Sequence, residues 1–395
     1  MTAAHDVIVI GAGVIGTSIA YHLAALGVRD VLVLERGQIG AGTSSQSSGI
    51  LRTHYSVPEN VELARRSWHV FDGFAAYLGD DEASAGLVQC GYLIAAPEGP
   101  KLEALQATLR EQEARGITVQ RLSAREACER LPICRFDDAP LIGFEPEAGF
   151  ADAYLVATAF ARAARRLGVR VREGIAVEKL VLEGGRVVGV DTTEGRITAP
   201  IVISAQNIWA KELERWTGIP MPVAAERHSV LALEGREPYT FAMPVYKDLA
   251  SPGMLYCRSY GGRRMLVSEG GAGTTLAQPD NEPGDIDMDD VLRVGDQVAA
   301  RFPPFAEAGL ASSWTGVYDV TPDWNPVLGR IPDVTGLIVA FGFSGHGFKL
   351  SPAVGRVLAQ EALGLPTDVS LAPYALERFR GGRLLTGRYG SGAVS

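Results

Sequence analysis

The sequence predicts a mixed α/β fold, with one domain built around a parallel βαβ unit and a second domain built on an antiparallel sheet. Three observations predict it. An apolar strand, a glycine-rich turn and an alanine-rich helical stretch follow one another near the N-terminus. Short apolar runs recur in the middle of the chain and near its end, and two stretches between them mix strands with amphipathic helices.

The first element is the β-branched run Val7 to Ile10, followed by Gly11-Ala12-Gly13-Val14-Ile15-Gly16 and a helical stretch from Thr17 to Leu26. Gly27 closes the helix, and Val31 to Leu34 forms a second strand ending in Glu35, nineteen residues past Gly16. This is the order of a Rossmann-type dinucleotide-binding unit. Gly11 permits the tight turn, Gly13 removes a side chain where a diphosphate approaches, and Gly16 lets helix and strand pack closely. The N–H groups and dipole of the helix start favour the diphosphate. Glu35 can accept hydrogen bonds from ribose hydroxyls and would repel a 2′-phosphate, which disfavours NADP. The motif alone does not separate FAD from NAD.

Length and charge bound the rest. At about 150 residues per domain, 395 residues suggest two or three units. With 47% apolar and 21% charged residues the composition is that of a globular protein. A net charge of −9 gives no general attraction to nucleic acid or anionic lipid. Cys90, Cys128, Cys134 and Cys257 are scattered and form no metal-ligand cluster, so free thiols in a reducing compartment are expected. The N-terminus has no basic region, and glycines interrupt the apolar stretch after it, so neither a signal peptide nor a membrane span is expected and the location expected is cytoplasmic.

After Glu35 and Arg36 comes the small-residue loop Gly40 to Gly49, leading into Ile50-Leu51-Arg52-Thr53-His54-Tyr55. Near the C-terminus lie Tyr318-Asp319-Val320-Thr321-Pro322-Asp323, Pro326-Val327-Leu328-Gly329 and Phe341-Gly342-Phe343-Ser344-Gly345-His346-Gly347-Phe348-Lys349-Leu350-Ser351-Pro352. Between them, Tyr154 to Trp209 reads as a helix, a strand from Val169 to Arg172, a hairpin turning at Gly184-Gly185, and the strand Ile201 to Ile203 running into Ser204-Ala205-Gln206-Asn207-Ile208-Trp209. On these three blocks the chain resembles the D-amino acid oxidase-like FAD-dependent oxidoreductase superfamily, in particular its sarcosine oxidase, dimethylglycine dehydrogenase and glycine oxidase branch.

The resemblance implies a discontinuous FAD-binding domain at residues 1–86, 145–222 and 318–395, and a substrate domain at 87–144 and 223–317. It implies flavin contacts at Gly11, Gly13, Val14, Ile15, Gly16, Glu35 and Arg36, and at Thr43, Ser44, Ser45, Ser47, Ser48, Gly49 and Ile50. Further contacts are implied at Val177, Ala205 and Trp209, and at Gly345, His346, Gly347, Phe348 and Lys349. Arg52 and Lys349 match the arginine and lysine that hold a substrate carboxylate. His54 has two readings, a group near the substrate or a structural histidine, while His5, His22, His69 and His228 carry no catalytic signal. Tyr246, Tyr256, Arg258 and Glu269 are substrate-domain candidates that are more often ordinary sheet residues.

The implied chemistry is hydride removal from the carbon next to an amine, giving an imine that water hydrolyses. Relatives that attach FAD covalently use a cysteine or histidine where this chain has Gly316 and the serine-rich Thr43 to Ser48, so noncovalent FAD is expected. The lysine that promotes reaction with O2 in monomeric oxidases has no counterpart between Arg264 and Glu269, which leaves O2 or another electron acceptor open. Three roles follow: a stand-alone oxidase or dehydrogenase of a secondary or N-methyl amino acid, the β-type subunit of a hetero-oligomeric dehydrogenase with partner subunits, or a flavin-binding protein without turnover. Gln206-Asn207 departs from the small pair usual in relatives, although asparagine tolerates a left-handed turn.

Overall fold

In a computed structural model that describes residues 3–271, 273–277 and 286–390, the apolar runs align as one six-stranded sheet. Its order is Arg170–Arg172, Val31–Leu34, Val7–Ile10, Ile201–Ser204, Leu337–Phe341 and Val327–Arg330. The first five strands are parallel, and the last is antiparallel to its neighbour. Val7–Ile10, Val31–Leu34 and Leu337–Phe341 are buried along their whole length. A sheet covered on both faces requires apolar residues at every position, which is why these strands read as unbroken runs.

The two faces still segregate by alternation. Val7, Val9, Val31 and Val33 pack into a core with the helices Val14–Ala25, Ala153–Arg166 and Gly347–Ala362. Ile8, Ile10, Leu32 and Leu34 face a second core shared with the four-stranded sheet of Ala3–Ala4, Gly195–Thr198, Arg186–Thr192 and Val177–Glu183. The expected hairpin at Gly184-Gly185 is present, joining the last two of these strands.

The C-terminal helix departs from expectation. The sequence places it at Pro352 to Ala362, because proline usually starts a helix, but it begins at Gly347 and carries Pro352 inside. Proline has no N–H to give the Phe348 carbonyl one turn earlier. Ser351 Oγ donates to that oxygen instead at 2.8 Å, and Ser67 Oγ accepts the Ala353 N–H at 3.2 Å. Lys349 thereby falls in the first helical turn.

The second sheet has nine strands, running Thr274–Leu276, Ala224–Glu234, Arg264–Ser268, Tyr256–Ser259, Val245–Asp248, Tyr92–Ala96, Leu141–Glu145 and Gln120–Leu122, with Gly309–Val320 also paired to Ala224–Glu234. Its pairings are antiparallel except one. Val245–Asp248 runs parallel to Tyr92–Ala96, and this is the seam where the two sequence-distant parts of the sheet meet. Small strands at Ile50–Leu51, Gly149–Phe150 and Val88–Gln89 form a further sheet. Residues 1–2 and 391–395, assigned by resemblance to the first domain, lie outside the described residues. No helix among the described residues is long and apolar enough to cross a membrane.

Gly355 sets the crossing of Val14–Ala25 with Gly347–Ala362. A Cβ there would lie 2.1 Å from Ser18 Oγ and 2.7 Å from the Ser18 carbonyl carbon. Gly355→Val gains less than about 1 kcal/mol in helix propensity, whereas overpacking costs about 1–3 kcal/mol. The variant is expected to melt at a lower temperature than the parent; equal or higher melting would show that the two helices separate freely.

Candidate active site

Because five strands run parallel, the residues that follow four of them, Gly11, Glu35, Ala205 and Gly342, emerge at one edge of the sheet. A cavity of about 840 Å³ opens there, within the roughly 300–1,000 Å³ usual for small-molecule and cofactor sites. Its wall contains Gly11, Gly13, Val14, Ile15, Glu35, Arg36, Thr43, Ser44, Ser47 and Ser48 from the N-terminal segment. Val177, Ala205 and Trp209 come from the middle, and Gly345, Gly347 and Phe348 from the C-terminal loop.

Local geometry explains the glycines. Gly11 has φ +98, and a Cβ on it would lie 2.7 Å from the Ala205 carbonyl oxygen. A Cβ on Gly16 would lie 1.9 Å from the Gly11 oxygen, so Gly16 serves packing beneath the turn and is not part of the wall. The helix at Val14 begins without a side-chain cap from its N-cap residue Gly13, and the Val14 N–H reaches Ser44 Oγ at 3.2 Å. Glu35 is fixed by backbone N–H groups on both oxygens: Ala12 donates to Oε2 and Gly37 to Oε1, each at 2.8 Å. The Arg36 guanidinium lies 3.9 Å from the centre of the Trp209 ring, joining two predicted contact residues. Asn207 takes the left-handed conformation at φ 52, so the departure at Gln206-Asn207 keeps the turn.

Three residues of the small-residue loop serve its shape. Ser45 Oγ donates to the carbonyls of Ala41 and Gly42 inside a single 3-10 turn, Thr43–Gln46. Gly49 has φ +72 and abuts Ala151 so closely that a Cβ would lie 2.0 Å from its oxygen, while Ile50 pairs with Phe150. None of the three lines the cavity.

Arg52, His346 and Lys349 are also absent from the cavity wall and gather in a neighbouring cluster around Tyr55. The Arg52 guanidinium lies 4.8 Å from the Tyr55 ring centre and 5.5 Å from that of Tyr92. His346 stacks on Tyr55 with ring centres 5.3 Å apart. Burial holds the His346 pKa well below the usual imidazole range, and Lys349 and Arg52 push it the same way. Lys349 is only 7% exposed and makes no hydrogen bond or ion pair among the described residues. Burial, then Arg52 and Lys247, depress its pKa well below the ordinary lysine value.

Glu145 is an acidic side chain of this cluster and interacts electrostatically with Arg52. Its Oε1 accepts from the Thr53 N–H at 2.6 Å and from Thr53 Oγ1 at 2.9 Å. His54 is engaged on both ring nitrogens, with Gln112 Oε1 and Tyr389 OH each at 2.9 Å, and burial lowers its pKa to about 3. Of the two readings of His54, these contacts favour the structural one over a role near the substrate.

Of the substrate-domain candidates, Tyr256 reaches the cavity wall, where its hydroxyl meets Tyr318 OH at 3.3 Å. Tyr246 is core, edge-on to Phe136 and Phe302. Arg258 Nε donates to the Ser48 carbonyl at 2.6 Å and so fastens the small-residue loop. Glu269 pairs with Arg293 and accepts from Gln297 at 2.8 Å. His228, which has no motif around it, lines the cavity and stacks on Tyr318 at 4.0 Å between ring centres. Asp319, Arg215 and Trp216 also line it. Asp319 accepts the Gly342 N–H at 2.6 Å, holding the turn ahead of the C-terminal helix.

This geometry was compared with known proteins. A family model described as FAD dependent oxidoreductase, DAO, matches residues 6–361. The chain belongs to that family. It is 29% identical to sarcosine oxidase subunit beta of Arthrobacter sp over 99% of this chain and 95% of that one. It is 26% identical to 4-methylaminobutanoate oxidase (formaldehyde-forming) of Paenarthrobacter nicotinovorans over 95% of this chain, but spans only 45% of that protein. The crystal structure of L-proline dehydrogenase from P. horikoshii superposes with a TM-score of 0.88 at 25% identity, covering 97% of this chain and 100% of that one. The FAD-binding fold and the relation to the sarcosine and glycine oxidase branch are therefore established.

Burial raises the Glu145 pKa from 4.5 to about 7. The folded chain holds this proton across pH 4.5 to 7 while the unfolded chain has lost it. The stabilising contribution is complete below pH 4.5 and disappears as pH rises through 7. Glu145→Gln keeps an acceptor for Thr53 and removes the titration. The melting temperature of the variant relative to the parent should therefore rise between pH 4.5 and 8; a difference independent of pH would refute the assignment.

Proposed function

We propose that this chain oxidises an amine-bearing carboxylate, a secondary or N-methyl amino acid of sarcosine-like type, using noncovalently held FAD. The observation that carries the reading is the buried amino group of Lys349, which makes no hydrogen bond or ion pair among the described residues and interacts electrostatically with Arg52. A cation in the first turn of a helix is disfavoured by the dipole unless an anion is bound beside it. A substrate carboxylate supplies that anion.

The cavity wall fits FAD. Gly13 leaves space for the diphosphate beside the tight turn at Gly11, the helix that starts at Val14 presents its N-terminal end to the cavity, and Glu35 would accept from ribose hydroxyls. The serine-rich loop and the Gly345 to Phe348 segment close around the remainder. Bound FAD would supply the acceptor for a hydride. Arg52 and Lys349 hold the carboxylate, so the carbon next to nitrogen is presented in one orientation. Their positive charge also disfavours an ammonium on the bound amine, which keeps the nitrogen lone pair available to form the C=N bond as the C–H bond breaks. The N–H proton passes to solvent and water hydrolyses the imine. No dedicated base is needed, which agrees with His54 being engaged elsewhere and His346 holding its neutral form.

A second reading is favoured by the near-complete overlap with a protein named as a subunit. In it the chain is the β-type subunit of a hetero-oligomeric dehydrogenase and passes electrons to a partner. The cation pair argues against a flavin-binding role without turnover.

Anaerobic mixing of the holoprotein with amino acids and N-methyl amino acids should bleach the flavin with one substrate class. Arg52→Ala and Lys349→Met should each slow bleaching at subsaturating substrate by about a hundredfold, as loss of a buried charge contact implies. Rapid recovery of colour on admitting air supports the stand-alone oxidase; slow recovery supports the subunit reading. Absence of bleaching by any carboxylated amine would remove the substrate assignment. Gly316 stands where a linking cysteine would lie, so acid precipitation should release the yellow chromophore to the supernatant; a coloured pellet would show a covalent bond.

A further inference from the structure

The sheet face that carries Tyr92 and Ile94 contributes to an apolar core, yet two charged residues project from it, Glu145, in register with Tyr92, and Lys247. In the parallel seam Val245 is in register with Tyr92 and Lys247 with Ile94. Alternation puts these four side chains on one face, the face beneath Arg52, while Leu93 and Tyr246 point to the other core. Lys247 is 3% exposed. Its Nζ donates to the Met254 carbonyl at 2.9 Å and lies 5.7 Å from the ring centre of Tyr256, a residue of the cavity wall. Gly270 makes room for it, since a Cβ at that position would lie 2.0 Å from Nζ.

Nearby acids do not neutralise this lysine. Asp248 is bound by Arg301, whose Nε meets Oδ2 at 2.8 Å, and Lys247 makes no ion pair among the described residues. Lys101, the other lysine acting on it, donates to the Leu249 carbonyl at 2.7 Å. Lys247 interacts electrostatically with both Arg52 and Lys349. Burial and Arg52 lower its pKa to about 7. Lys247 thus stands beside Arg52 and Lys349 with no carboxylate paired to it among the described residues. A single substrate carboxylate held by Arg52 and Lys349 would leave Lys247 without one, and a buried ammonium without a counter-charge costs several kcal/mol.

We propose that Lys247 is a specificity residue that binds a second carboxylate, so that the preferred substrate is an amino acid bearing two acidic groups. This inference rests on the carboxylate reading of Arg52 and Lys349 and names the substrate class for that site. The first carboxylate lies against Arg52 and Lys349, and the second reaches toward the Tyr256 side where Nζ of Lys247 stands.

Equilibrium binding tests it without turnover. Methylthioacetate and thiodiacetate carry sulfur where the substrate carries nitrogen, and they differ in having one carboxylate or two. Each is titrated into the holoprotein, with flavin absorbance and heat of binding as readouts. Thiodiacetate should bind at least about tenfold more tightly, as one added charge contact worth about 1.4 kcal/mol implies. Lys247→Met should weaken thiodiacetate about tenfold more than methylthioacetate, and Lys247→Arg should restore part of the preference. The comparison on the parent protein needs no variant to fold. Equal affinity of the parent for the two acids, with methylthioacetate binding lost in Arg52→Ala, overturns the role of Lys247 and leaves the carboxylate site standing. Binding of neither acid overturns both. A diacid preference that survives Lys247→Met assigns the second carboxylate to another residue and also overturns the inference.

Discussion

The parallel alignment of the five strands from Arg170–Arg172 to Leu337–Phe341 is the constraint on which the site depends. Residues far apart in sequence reach one edge because each strand ends there, and a reversed strand would carry the residue that follows it to the opposite edge. The contact between Gly11 and Ala205 is the tightest expression of this alignment. Their strands are in register as neighbours, and the turn after one presses on the carbonyl after the other, leaving no room for a side chain at Gly11. The absence of a side chain at Gly11 is thus a packing requirement of the sheet itself.

Against that ordered frame stands a costly feature. Arg52, Lys247 and Lys349 come from three separate elements and converge where few charges of opposite sign are available. Isolated buried ions oppose folding by several kcal/mol each. The surrounding structure restrains them with rings and backbone carbonyls: Tyr55 and Tyr92 under Arg52, and the Met254 oxygen on Lys247. His54, Gln112 and Tyr389 form a hydrogen-bonded brace beside this cluster, tying the C-terminal segment to the N-terminal one. Elsewhere buried charge is fully answered, as in Arg378 with Asp323 at 2.8 Å. On the proposed function, the contrast marks this cluster as a place where stability is given up for ligand binding.

The βαβ unit was legible because its signal is local: three glycines at fixed spacing, a strand before them and an acid after. The wall residues of the serine-rich loop and the C-terminal glycine loop were legible through resemblance, and most of them line the cavity. The start of the last helix was not, because Pro352 reads as a beginning, and the hydroxyls of Ser351 and Ser67 that let it sit inside are visible only in three dimensions. His228 and Lys247 were missed for the same kind of reason. Each sits in a strand of unremarkable composition, and its importance comes from what packs across from it: Tyr318 for one, Tyr256 for the other. The sequence leaves His54 with two readings because its partners, Gln112 and Tyr389, lie 58 and 335 residues away.

The position of Ile201–Ser204 between Val7–Ile10 and Leu337–Phe341 has a consequence for biosynthesis. During translation the first βαβ unit emerges early, but the strand that flanks it is made nearly two hundred residues later and the next one later still. The seam between Val245–Asp248 and Tyr92–Ala96 imposes a similar wait on the second sheet. Long-range pairings of this kind close slowly because the loop entropy is lost before the contacts form. A nascent chain therefore displays unpaired edges of Val7–Ile10 and Tyr92–Ala96 until Ile201–Ser204 and Val245–Asp248 have been made, past the middle of the chain, and such edges invite association with other chains. Folding assistance on the ribosome, and a supply of cofactor at the moment of closure, would matter more for this architecture than for a domain whose strands pair in the order they are made.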